Sequence, residues 1–422
     1  MKKIIVKKAN ELKGTIRISG AKNAAVAIIP ASILTDEEVT ICNVPEISDI
    51  DNLEGILEYL DINVKRATES IVVNTKDMQN KPIPEDISSK LRASYYFMGA
   101  LLTKYKHVEM NFPGGCKIGS RPINLHLEGF KKLGATVKID GDKYIIDAKE
   151  LKGTRIYLDI ASVGATINLM LAAVKAKGLT IIENAAREPE IVNVATFLNS
   201  MGAEITGAGT SIIKIKGVEK LGKGFVEIIP DRIEAGTYTI LGALLGNDLK
   251  ISNIIPDHIE SLTTKLKEAG ANIEIESDNL VCNKSDKLKA INVMTYYFPG
   301  FPTDLQQPLS VFLTRCKGKS TLEETIYENR FMHVPYLKEM GADIEIEDKK
   351  LIITGPTDLK GKEVVATDLR AGASLVIAGL LAEGETIIDE AEHILRGYEG
   401  IIEKLSNVGA EIKLEEKAWK NY

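Results

Sequence analysis

A cysteine lies in a stretch that is rich in glycine and cationic residues, FPGGCKIGSRPINLH at residues 112–126. Cys116 follows two glycines and is within five residues of both Lys117 and Arg121. Glycines permit backbone angles and a close approach of ligand that other residues resist, and neighbouring cations favour ionisation of a thiol. The setting therefore indicates a thiol that takes part in chemistry. The alternative is an incidental thiol, since most cysteines behave as small hydrophobes.

Charged or polar residues also recur at the start of six apolar segments, at intervals close to 70 residues. They are Lys22, Arg92, Ser162, Arg232, Asp304 and Arg370. A cation in the first turn of a helix is unfavourable by a few tenths of a kcal/mol, so the recurrence suggests that anions bind there. The helix dipole, the free N–H groups and the cationic side chain would then act together.

Two simpler interpretations of these helix starts remain open. Any one cation could be solvated or form a surface salt bridge. Thr303 and Gln306 could form a capping box, which would make Asp304 a favourable first-turn residue without a chemical role.

The elements that must position these residues repeat six times. A helix stop followed by a strand recurs as GATV at 134, GAEI at 202, GANI at 270, GADI at 341 and GAEI at 409, with a weaker copy, DINV, at 61. In five copies the glycine is placed to end a helix in the left-handed conformation. Alternating strand patterns and longer apolar helix patterns together predict a βαβαββ unit of about 70 residues.

The two ends of the chain are predicted to complete each other. The segment KIIVKK near the N-terminus and EIKLEE near the C-terminus both lack a neighbouring partner strand, so we expect them to pair. This predicts two three-repeat domains, residues 22–229 and residues 1–21 plus 230–422. An open solenoid is the alternative for six repeats, but its terminal units would need capping faces.

Composition limits the function classes. The chain has 422 residues, a formal net charge of −6, 44% hydrophobic and 27% charged residues, which is typical of a globular protein and argues against a nucleic-acid surface. The longest uncharged run, residues 160–174, is shorter than the roughly 18 residues of a membrane helix. The N-terminus lacks the apolar core of a secretory signal, so a cytoplasmic protein is expected.

The metal-binding residue types are sparse and scattered. Four cysteines without CxxC spacing and five dispersed histidines indicate neither a disulfide framework nor a zinc site. His126, His333 and His393 are expected to have structural roles. No metal and no organic cofactor is expected.

Motifs along nearly the whole chain resemble the UDP-N-acetylglucosamine enolpyruvyl transferases, also called UDP-N-acetylglucosamine 1-carboxyvinyltransferases. PGGC followed by IGxRP is the most specific of them. The others are SGAKNAA, LRAS, SVGAT, IIENAAREPEIV, PDRIEAGT, FPTDLQ, ENRFMHV, TDLRAGASL and RGYEG. The resemblance implies two inside-out, barrel-like α/β domains of three βαβαββ repeats each, with the active site in the cleft between them.

The resemblance also implies a reaction. Such enzymes transfer the enolpyruvyl group of phosphoenolpyruvate to the 3-hydroxyl of UDP-N-acetylglucosamine and release phosphate, as the first committed step of peptidoglycan synthesis. Cys116 would donate a proton to the methylene carbon, could hold phosphoenolpyruvate as a covalent adduct, and would make the enzyme sensitive to the epoxide fosfomycin. Asp304 would accept the proton of the sugar hydroxyl or orient that hydroxyl.

The remaining site residues follow from the same resemblance. Lys22 and Arg396 would also take part in catalysis. The residues expected to bind phosphoenolpyruvate are Lys22, Asn23, Arg121, Arg370 and Arg396. Those expected to bind UDP-N-acetylglucosamine are Asn23, Arg92, Arg121, Pro122, Ile123, Asn124, Leu125, Ser162, Val163, Gly164, Asp304 and Ile326. Two positions depart from many relatives, which have an aspartate where this chain has Asn124 or a lysine where it has Ile160.

Two other functions are weighed against this one. An enzyme similar to 5-enolpyruvylshikimate-3-phosphate synthase shares the fold and the enolpyruvyl donor, but that family lacks the cysteine loop. A non-catalytic paralogue could bind the sugar nucleotide and regulate cell-wall synthesis. The presence of Lys22, Cys116, Asp304, Arg370 and Arg396 argues against a decayed site.

Overall fold

Six small β-sheets and six buried helices dominate the part of the chain that this computed structural model describes, residues 2–114 and 123–416. The buried helices are those predicted from the six apolar segments, and nearly every residue in them is shielded from solvent. Sheets therefore surround helical cores, which confirms the predicted inside-out α/β repeats. No helix in these two described stretches combines the length and the apolar character of a membrane span.

The helices and strands follow one another along the chain in a regular order. In the first half they are β1 (Lys2–Lys7), β2 (Leu12–Arg17), α1 (Lys22–Ala31), β3 (Val39–Cys42), α2 (Ser48–Tyr59), β4 (Asn63–Ala67), β5 (Ser70–Asn74), α3 (Glu85–Ser88), α4 (Tyr96–Tyr105), β6 (His107–Asn111), α5 (Asn124–Lys132), β7 (Thr136–Asp140), β8 (Lys143–Asp147), β9 (Arg155–Tyr157), α6 (Val163–Ala173), β10 (Leu179–Glu183), α7 (Pro189–Ser200), β11 (Glu204–Thr206), β12 (Ile212–Lys216) and β13 (Gly224–Glu227).

The second half repeats the pattern. Its elements are α8 (Arg232–Leu245), β14 (Gly246–Ser252), α9 (Glu260–Glu268), β15 (Asn272–Glu276), β16 (Asn279–Asn283), β17 (Asn292–Met294), α10 (Gln306–Leu313), β18 (Gly318–Glu323), α11 (Val334–Glu339), β19 (Asp343–Glu347), β20 (Lys350–Gly355), β21 (Glu363–Val365), α12 (Leu369–Leu381), β22 (Glu385–Asp389), α13 (Glu392–Leu395), α14 (Ile401–Asn407) and β23 (Ile412–Glu416). Short 3₁₀ turns lie at Ser32–Leu34, Arg92–Tyr95, Pro256–Ile259 and Thr303–Leu305.

One repeat illustrates the unit. In the sheet ordered β11-β12-β10-β9, strand β9 leads through the buried helix α6 to β10, which pairs with β9 in parallel. Helix α7 then leads to β11 and β12, and both of their pairings are antiparallel. This is the predicted βαβαββ order, since a parallel pair needs a crossover connection and an antiparallel pair needs only a turn.

The predicted helix stops are confirmed. The glycine of the repeated phrase has a positive φ in five copies, at Gly134, Gly202, Gly270, Gly341 and Gly409. Asp61 takes the same left-handed conformation in the weaker first copy, with φ 58°. Aspartate tolerates this region better than most residues because its short polar side chain can hydrogen-bond locally.

The described residues form two compact units, one of residues 20–114 and 123–229, and the other of residues 2–19 and 230–416. Each unit contains three of the sheets. The strands just before the chain crosses from one unit to the other have partners distant in sequence. Strand β2 pairs in parallel with β14, and β13 pairs in parallel with β3. Helices α1 and α8 therefore begin right after strands that belong to the other unit.

The predicted pairing of the chain ends is confirmed. Strand β1 lies between β22 and β23 and is antiparallel to both, so that Ile4 is opposite Ile388 on one side and Leu414 on the other. Ile4 and Val6 are fully buried. The N-terminal strand is thus an interior strand of a C-terminal sheet.

We expect Ile4→Ala to lower the free energy of unfolding by about 2–4 kcal/mol, because it leaves a cavity in the core at an interior strand. The matched control is Lys7→Ala on the same strand, whose exposed side chain pairs with Glu411 and whose loss should cost no more than about 0.5 kcal/mol. Urea unfolding of the full chain measures both. Equal stabilities for the two variants would contradict an interior position of β1.

Candidate active site

A carboxylate lies between two buried arginines in the unit formed by residues 2–19 and 230–416. Asp304 is in the 3₁₀ turn that precedes α10, with its side chain 25% exposed. Its Oδ1 accepts a hydrogen bond from Arg330 Nη2 at 2.7 Å, and its Oδ2 lies 3.4 Å from Arg370 Nη2. The two guanidinium groups are 4% and 3% exposed, so they have little access to water. Asp304 thus pairs with two cations that water hardly screens.

This pairing sets the protonation state of Asp304. Burial by itself raises the pKa of the Asp304 carboxyl, but Arg330 and Arg370, with Arg232 contributing more weakly, hold that pKa well below its usual range. The carboxylate is therefore ionised at any physiological pH. With this low pKa it is a weak base as long as both arginines remain paired with it.

The two arginines retain unused hydrogen-bonding capacity. Among the described residues, Arg330 Nε and Arg370 Nη1 are buried donors without a hydrogen-bond partner. A buried donor without a partner costs about 1–3 kcal/mol. Unused guanidinium donors are what a site for a phosphate or carboxylate group requires.

Arg370 is held in place by the cap of its helix and by Tyr398. It is the second residue of α12, whose start is capped by Asp368 through hydrogen bonds from the backbone N–H groups of Arg370 and Ala371, at 2.9 and 3.0 Å. Its guanidinium lies 5.2 Å from the ring centre of Tyr398. The Tyr398 hydroxyl is 2.9 Å from the hydroxyl of Thr237 on α8. The arginine is thereby fixed before any ligand arrives.

Arg396 is close in sequence to Tyr398, which contacts Arg370. It directly follows α13 and is half-buried, two residues before Tyr398 in the RGYEG segment. Arg232, which begins α8, has its guanidinium 5.5 Å from the ring centre of Phe298. Both are cations of the same unit, and Arg232 contributes to the low pKa of Asp304.

The alternative interpretation of Thr303 and Gln306 as a capping box is wrong. The Thr303 hydroxyl donates to Glu324 Oε2 at 2.8 Å and accepts from Arg330 Nη1 at 2.8 Å, so it caps no helix N–H group. Gln306 is fully buried and neither of its amide atoms has a hydrogen-bond partner among the described residues. Two buried charged side chains take the Thr303 hydroxyl because charged partners bond more strongly than a helix end does. Thr303 thus positions Arg330.

The other unit contains a second cation at a helix start. Lys22 is the first residue of α1, and its Nζ is 3.0 Å from Oδ2 of the fully buried Asp49 on α2. Asn23 follows it and is half-buried. Helix α1 begins without a side-chain cap and without an acidic residue in its first turn, so its first N–H groups are compatible with an anion.

The residues expected to bind the sugar nucleotide lie at the starts of helices and turns. Arg92 begins the 3₁₀ turn before α4, and Ile123, Asn124 and Leu125 are at the start of α5, with Asn124 exposed. Ser162 is the N-cap of α6, where its hydroxyl accepts from the N–H of Ala165 at 3.2 Å, and Val163 and Gly164 follow it. In the other unit, Ile326 donates its backbone N–H to Glu324 Oε1 at 2.8 Å.

Three of the predicted site residues, Cys116, Arg121 and Pro122, lie outside the described residues. Their proximity to the groups above remains a prediction. The other cysteines are described. Cys282 and Cys316 are buried, and burial raises the pKa of each thiol to about 12, while Cys42 is half-buried.

Buried histidines next to the candidate site are neutral. Burial, and to a lesser degree the nearby arginine, lowers the pKa of His126 and of His333 to about 3. His333 Nε2 is 2.9 Å from the Ser310 hydroxyl, and His126 Nδ1 is 3.0 Å from the Asn168 amide nitrogen. Within residues 2–114 and 123–416, no three His, Cys, Asp or Glu side chains are grouped as they would be around a metal ion.

Sequence reasoning missed Arg330, although it lies in the quoted segment ENRFMHV. The repeat pattern predicts cations at the starts of the six apolar helices, whereas Arg330 is in the loop between β18 and α11. The signal that could have found Arg330 is its place in ENRFMHV, one of the motifs that resemble the enolpyruvyl transferases. The repeat pattern gives no such signal. Asp368 and Tyr398 were missed because their roles depend on contacts with Arg370 that only the fold reveals.

Comparisons with known proteins agree on one family. Residues 6–405 match the family model described as EPSP synthase (3-phosphoshikimate 1-carboxyvinyltransferase). The chain is 51% identical, over 97% of both chains, to UDP-N-acetylglucosamine 1-carboxyvinyltransferase 2 of Listeria monocytogenes serotype 4b (strain F2365). It is also 51% identical to the protein of that name from Geobacillus kaustophilus (strain HTA426), over 98% of this chain and 96% of the relative.

Solved structures show the same fold. The enolpyruvyl transferase NikO from Streptomyces tendae aligns with a TM-score of 0.89 at 24% identity, over 98% of this chain and 99% of that one. EPSP synthase from Acinetobacter baumannii aligns with a TM-score of 0.75 at 18% identity, over 99% of this chain and all of that one.

We expect Asp304→Asn to lower the free energy of unfolding by about 3 kcal/mol, because it leaves two buried guanidinium groups without their counter-charge. The matched control is Asp358→Asn. That residue also pairs with an arginine, with its Oδ1 3.3 Å from Arg315 Nη1, but is 95% exposed, and its loss should cost at most about 0.5 kcal/mol. Chemical unfolding at pH 7 compares the two. A loss in Asp304→Asn no larger than in the control would show that the arginines do not depend on this carboxylate.

Proposed function

We propose, from the premise that this chain belongs to the EPSP synthase (3-phosphoshikimate 1-carboxyvinyltransferase) family, that it transfers the enolpyruvyl group of phosphoenolpyruvate to the 3-hydroxyl of UDP-N-acetylglucosamine and releases phosphate. The protein is an enzyme of the carboxyvinyltransferase class. The observation that carries the choice of acceptor is the 51% identity, over 97% of both chains, to a UDP-N-acetylglucosamine 1-carboxyvinyltransferase.

Phosphoenolpyruvate offers a phosphate and a carboxylate, and the proposed site offers cations for both. Arg370 and Arg396 in one unit, and Lys22, Asn23 and Arg121 in the other part of the chain, would bind these groups. The unused donors of Arg330 and Arg370 support this role, because an oxyanion would satisfy them. Cations that are fixed in advance and shielded from water stabilise a developing charge more than mobile, solvated ones.

Asp304 would change its role when phosphoenolpyruvate binds. The anionic ligand competes with the carboxylate for Arg330 and Arg370. As those pairings weaken, the pKa of Asp304 rises toward the range in which it can accept a proton. In the same position it would accept a hydrogen bond from the sugar 3-hydroxyl. The ligand would thus convert a structural ion pair into a base at the moment the base is needed.

Cys116 would supply the proton for the addition step. Its thiol transfers a proton to the methylene carbon of phosphoenolpyruvate, and the central carbon, now cationic in character, bonds to the 3-oxygen of the sugar while Asp304 takes the hydroxyl proton. The Cys116 thiolate would then take a proton back from the new methyl group, which restores the double bond as the carbon–oxygen bond to phosphate breaks, and the proton held by Asp304 would leave with the phosphate. Donation requires the neutral thiol, so nearby cations would tune the thiol rather than ionise it permanently. Lys22 and Arg396 would stabilise the charge on the departing phosphate.

The sugar nucleotide would be bound by three segments, by Asn23 of the same unit and by two residues of the other unit. The segments are Arg92, residues 121–125 and residues 162–164, joined by Asn23, Asp304 and Ile326. Asn124 is exposed and can hydrogen-bond as an amide where many relatives have a carboxylate. Ile160, 54% exposed, provides no cation for the diphosphate. Nucleotide affinity should therefore depend strongly on Arg92 and Arg121.

The two competing functions are tested by the same assay. A 5-enolpyruvylshikimate-3-phosphate synthase activity is suggested by the name of the matching family model, but the solved enzyme of that name is only 18% identical, which indicates the fold alone. A non-catalytic paralogue would keep binding without turnover. The ion-paired Asp304 with two positioned arginines argues against loss of the chemistry.

The proposed reaction also suggests a cellular setting. Enolpyruvyl transfer to UDP-N-acetylglucosamine begins peptidoglycan synthesis, so the enzyme would serve cell-wall growth, cell shape and cell division. Nucleotide-activated sugars and phosphoenolpyruvate are cytoplasmic metabolites, and we place the protein there. Its partners would be these two small molecules rather than nucleic acid or a membrane, in keeping with the net charge of −6.

The proposed acceptor is tested by phosphate release. Purified protein mixed with phosphoenolpyruvate and UDP-N-acetylglucosamine should release phosphate and form an enolpyruvyl sugar nucleotide, detected by mass spectrometry. Shikimate 3-phosphate in place of the sugar nucleotide should give no release above background. Release with shikimate 3-phosphate alone would select the synthase function, and binding of the sugar nucleotide without release would select the paralogue.

We expect Cys116→Ser to reduce turnover by about two orders of magnitude or more, because a serine hydroxyl is a far weaker acid than a thiol. The same variant should no longer be alkylated by fosfomycin. Cys42→Ser is the matched control, since Cys42 is the half-buried one of the three described cysteines, and it should keep both activity and alkylation. Intact mass after fosfomycin treatment and phosphate release check both results, and unchanged alkylation of Cys116→Ser would refute the assignment of this thiol.

A further inference from the structure

One buried amide connects three segments of the unit formed by residues 20–114 and 123–229. Asn168 lies in the second turn of α6 and is fully buried within an otherwise apolar helix. Burying an amide is unfavourable unless its hydrogen bonds are made. Three of its four hydrogen-bonding positions are used.

The partners of Asn168 lie on three different elements. Its Oδ1 accepts from the N–H of Gly99 in α4 at 2.9 Å. Its Nδ2 donates to the carbonyl of Tyr95 at 2.9 Å and lies 3.0 Å from His126 Nδ1 on α5. These partners fix the orientation of the amide, because the reverse orientation would place the amide NH₂ against an N–H donor and the amide oxygen against a carbonyl.

The same partners fix the tautomer of His126. The amide nitrogen of Asn168 can only donate, so Nδ1 of His126 must accept, and the ring proton lies on Nε2. Burial, with Arg92 as a second cause, lowers the pKa of His126 to about 3, so the ring stays neutral at physiological pH. The hydrogen bond from Asn168 is therefore retained throughout that range.

The packing around this amide leaves little room for adjustment. A Cβ atom at Gly99 would lie 2.4 Å from Asn168 Oδ1, and a Cβ atom at Gly164 would lie 2.6 Å from the Tyr95 hydroxyl. The rings of Tyr95 and His126 are 4.8 Å apart in an edge-to-face arrangement. Contacts this close transmit a shift of one segment to the others.

Each connected segment carries residues that we assign to the sugar nucleotide. Tyr95 ends the 3₁₀ turn that Arg92 begins, and His126 follows Asn124 and Leu125 at the start of α5. Asn168 itself is on α6, which starts with Ser162, Val163 and Gly164. The starts at Arg92 and Asn124 belong to one repeat and the start at Ser162 to the next, and the three are not adjacent in sequence. The amide is the point at which their backbones or side chains meet.

We propose that Asn168 is a positioning residue for UDP-N-acetylglucosamine, which sets the segments that begin at Arg92, Asn124 and Ser162 at fixed distances from one another. The inference rests on the proposed function, because it assumes that these segments bind the sugar nucleotide. It assigns no contact with the substrate to Asn168, which is too deeply buried to reach one. Its loss should weaken nucleotide binding while leaving the phosphoenolpyruvate cations in the other unit unchanged.

The test compares two buried polar residues that bridge the same pair of helices. Asn168→Leu removes all three hydrogen bonds at similar volume. The matched control is Thr103→Val, because the Thr103 hydroxyl of α4 donates to the carbonyls of Leu171 and Ala172 of α6, at 2.9 and 3.0 Å, farther along the helices. Both variants lose buried hydrogen bonds between α4 and α6, but only Asn168→Leu frees the segments that start at Arg92, Asn124 and Ser162.

We expect Asn168→Leu to raise the KM for UDP-N-acetylglucosamine by about tenfold, equivalent to the loss of one or two net hydrogen bonds, with the KM for phosphoenolpyruvate changed by less than about twofold. Thr103→Val should lower the melting temperature without moving either KM. Asn168→Asp should be intermediate, because it keeps the acceptor for Gly99 and can regain a bond to His126 if the ring proton shifts to Nδ1. This variant also keeps the test decisive if Asn168→Leu does not fold.

Calorimetric titration of UDP-N-acetylglucosamine into the full chain distinguishes a failure of the proposed function from a failure of the positioning role of Asn168. If the wild-type protein neither binds the nucleotide nor turns it over, the proposed function is wrong and this inference is lost with it. If the wild-type protein binds it and both Asn168 variants bind it equally well, or if Thr103→Val changes nucleotide affinity as much as they do, only the positioning role is overturned.

Discussion

The buried ion pairs of Asp304 with Arg330 and Arg370 are the constraint on which the candidate site depends. Two arginine side chains with almost no access to water pair with this carboxylate, and within residues 2–114 and 123–416 each keeps a donor without a hydrogen-bond partner. Such an arrangement is costly in an empty protein and becomes favourable when an anion arrives. The fold bears this cost by fixing Arg330 through Thr303 and Arg370 through the Asp368 cap and Tyr398. A small polyanion is the ligand that best satisfies the unused donors of Arg330 and Arg370.

The repeated architecture explains how the fold can hold charges in this way. In every repeat the first helix is buried, so a side chain in or just before its first turn is held rigidly by the core. Lys22, Arg92, Ser162, Arg232, Asp304 and Arg370 all occur within the first residues of such a helix, its preceding turn or its cap. The scaffold thus offers six equivalent positions, and this sequence has placed different chemistry at each of them.

Much of the fold could be predicted because its signals are local and repeated. Apolar helices, alternating strands and the glycine after each helix recur six times, and each copy supports the others. The parallel pairings of β2 with β14 and of β13 with β3 could not be predicted, since the partner of a strand depends on packing between distant segments. Site residues were predicted where they lie at the equivalent helix start of each repeat or within a motif of the family resemblance. Arg330, Thr303 and Asn168 were missed because each acts through buried contacts that leave no periodic trace, and the cysteine loop lies outside the described residues.

The interior position of β1 has a consequence for how the polypeptide is made. Strand β1 is synthesised long before its two neighbours, β22 and β23, so its hydrogen bonds must wait until residues 385–416 have been made. Until then Ile4 and Val6 have no core to enter, and the last sheet has a gap at its centre. Closure of that gap brings the two ends of the polypeptide into one sheet, so a nascent chain that stops short of residue 412 cannot complete its C-terminal unit.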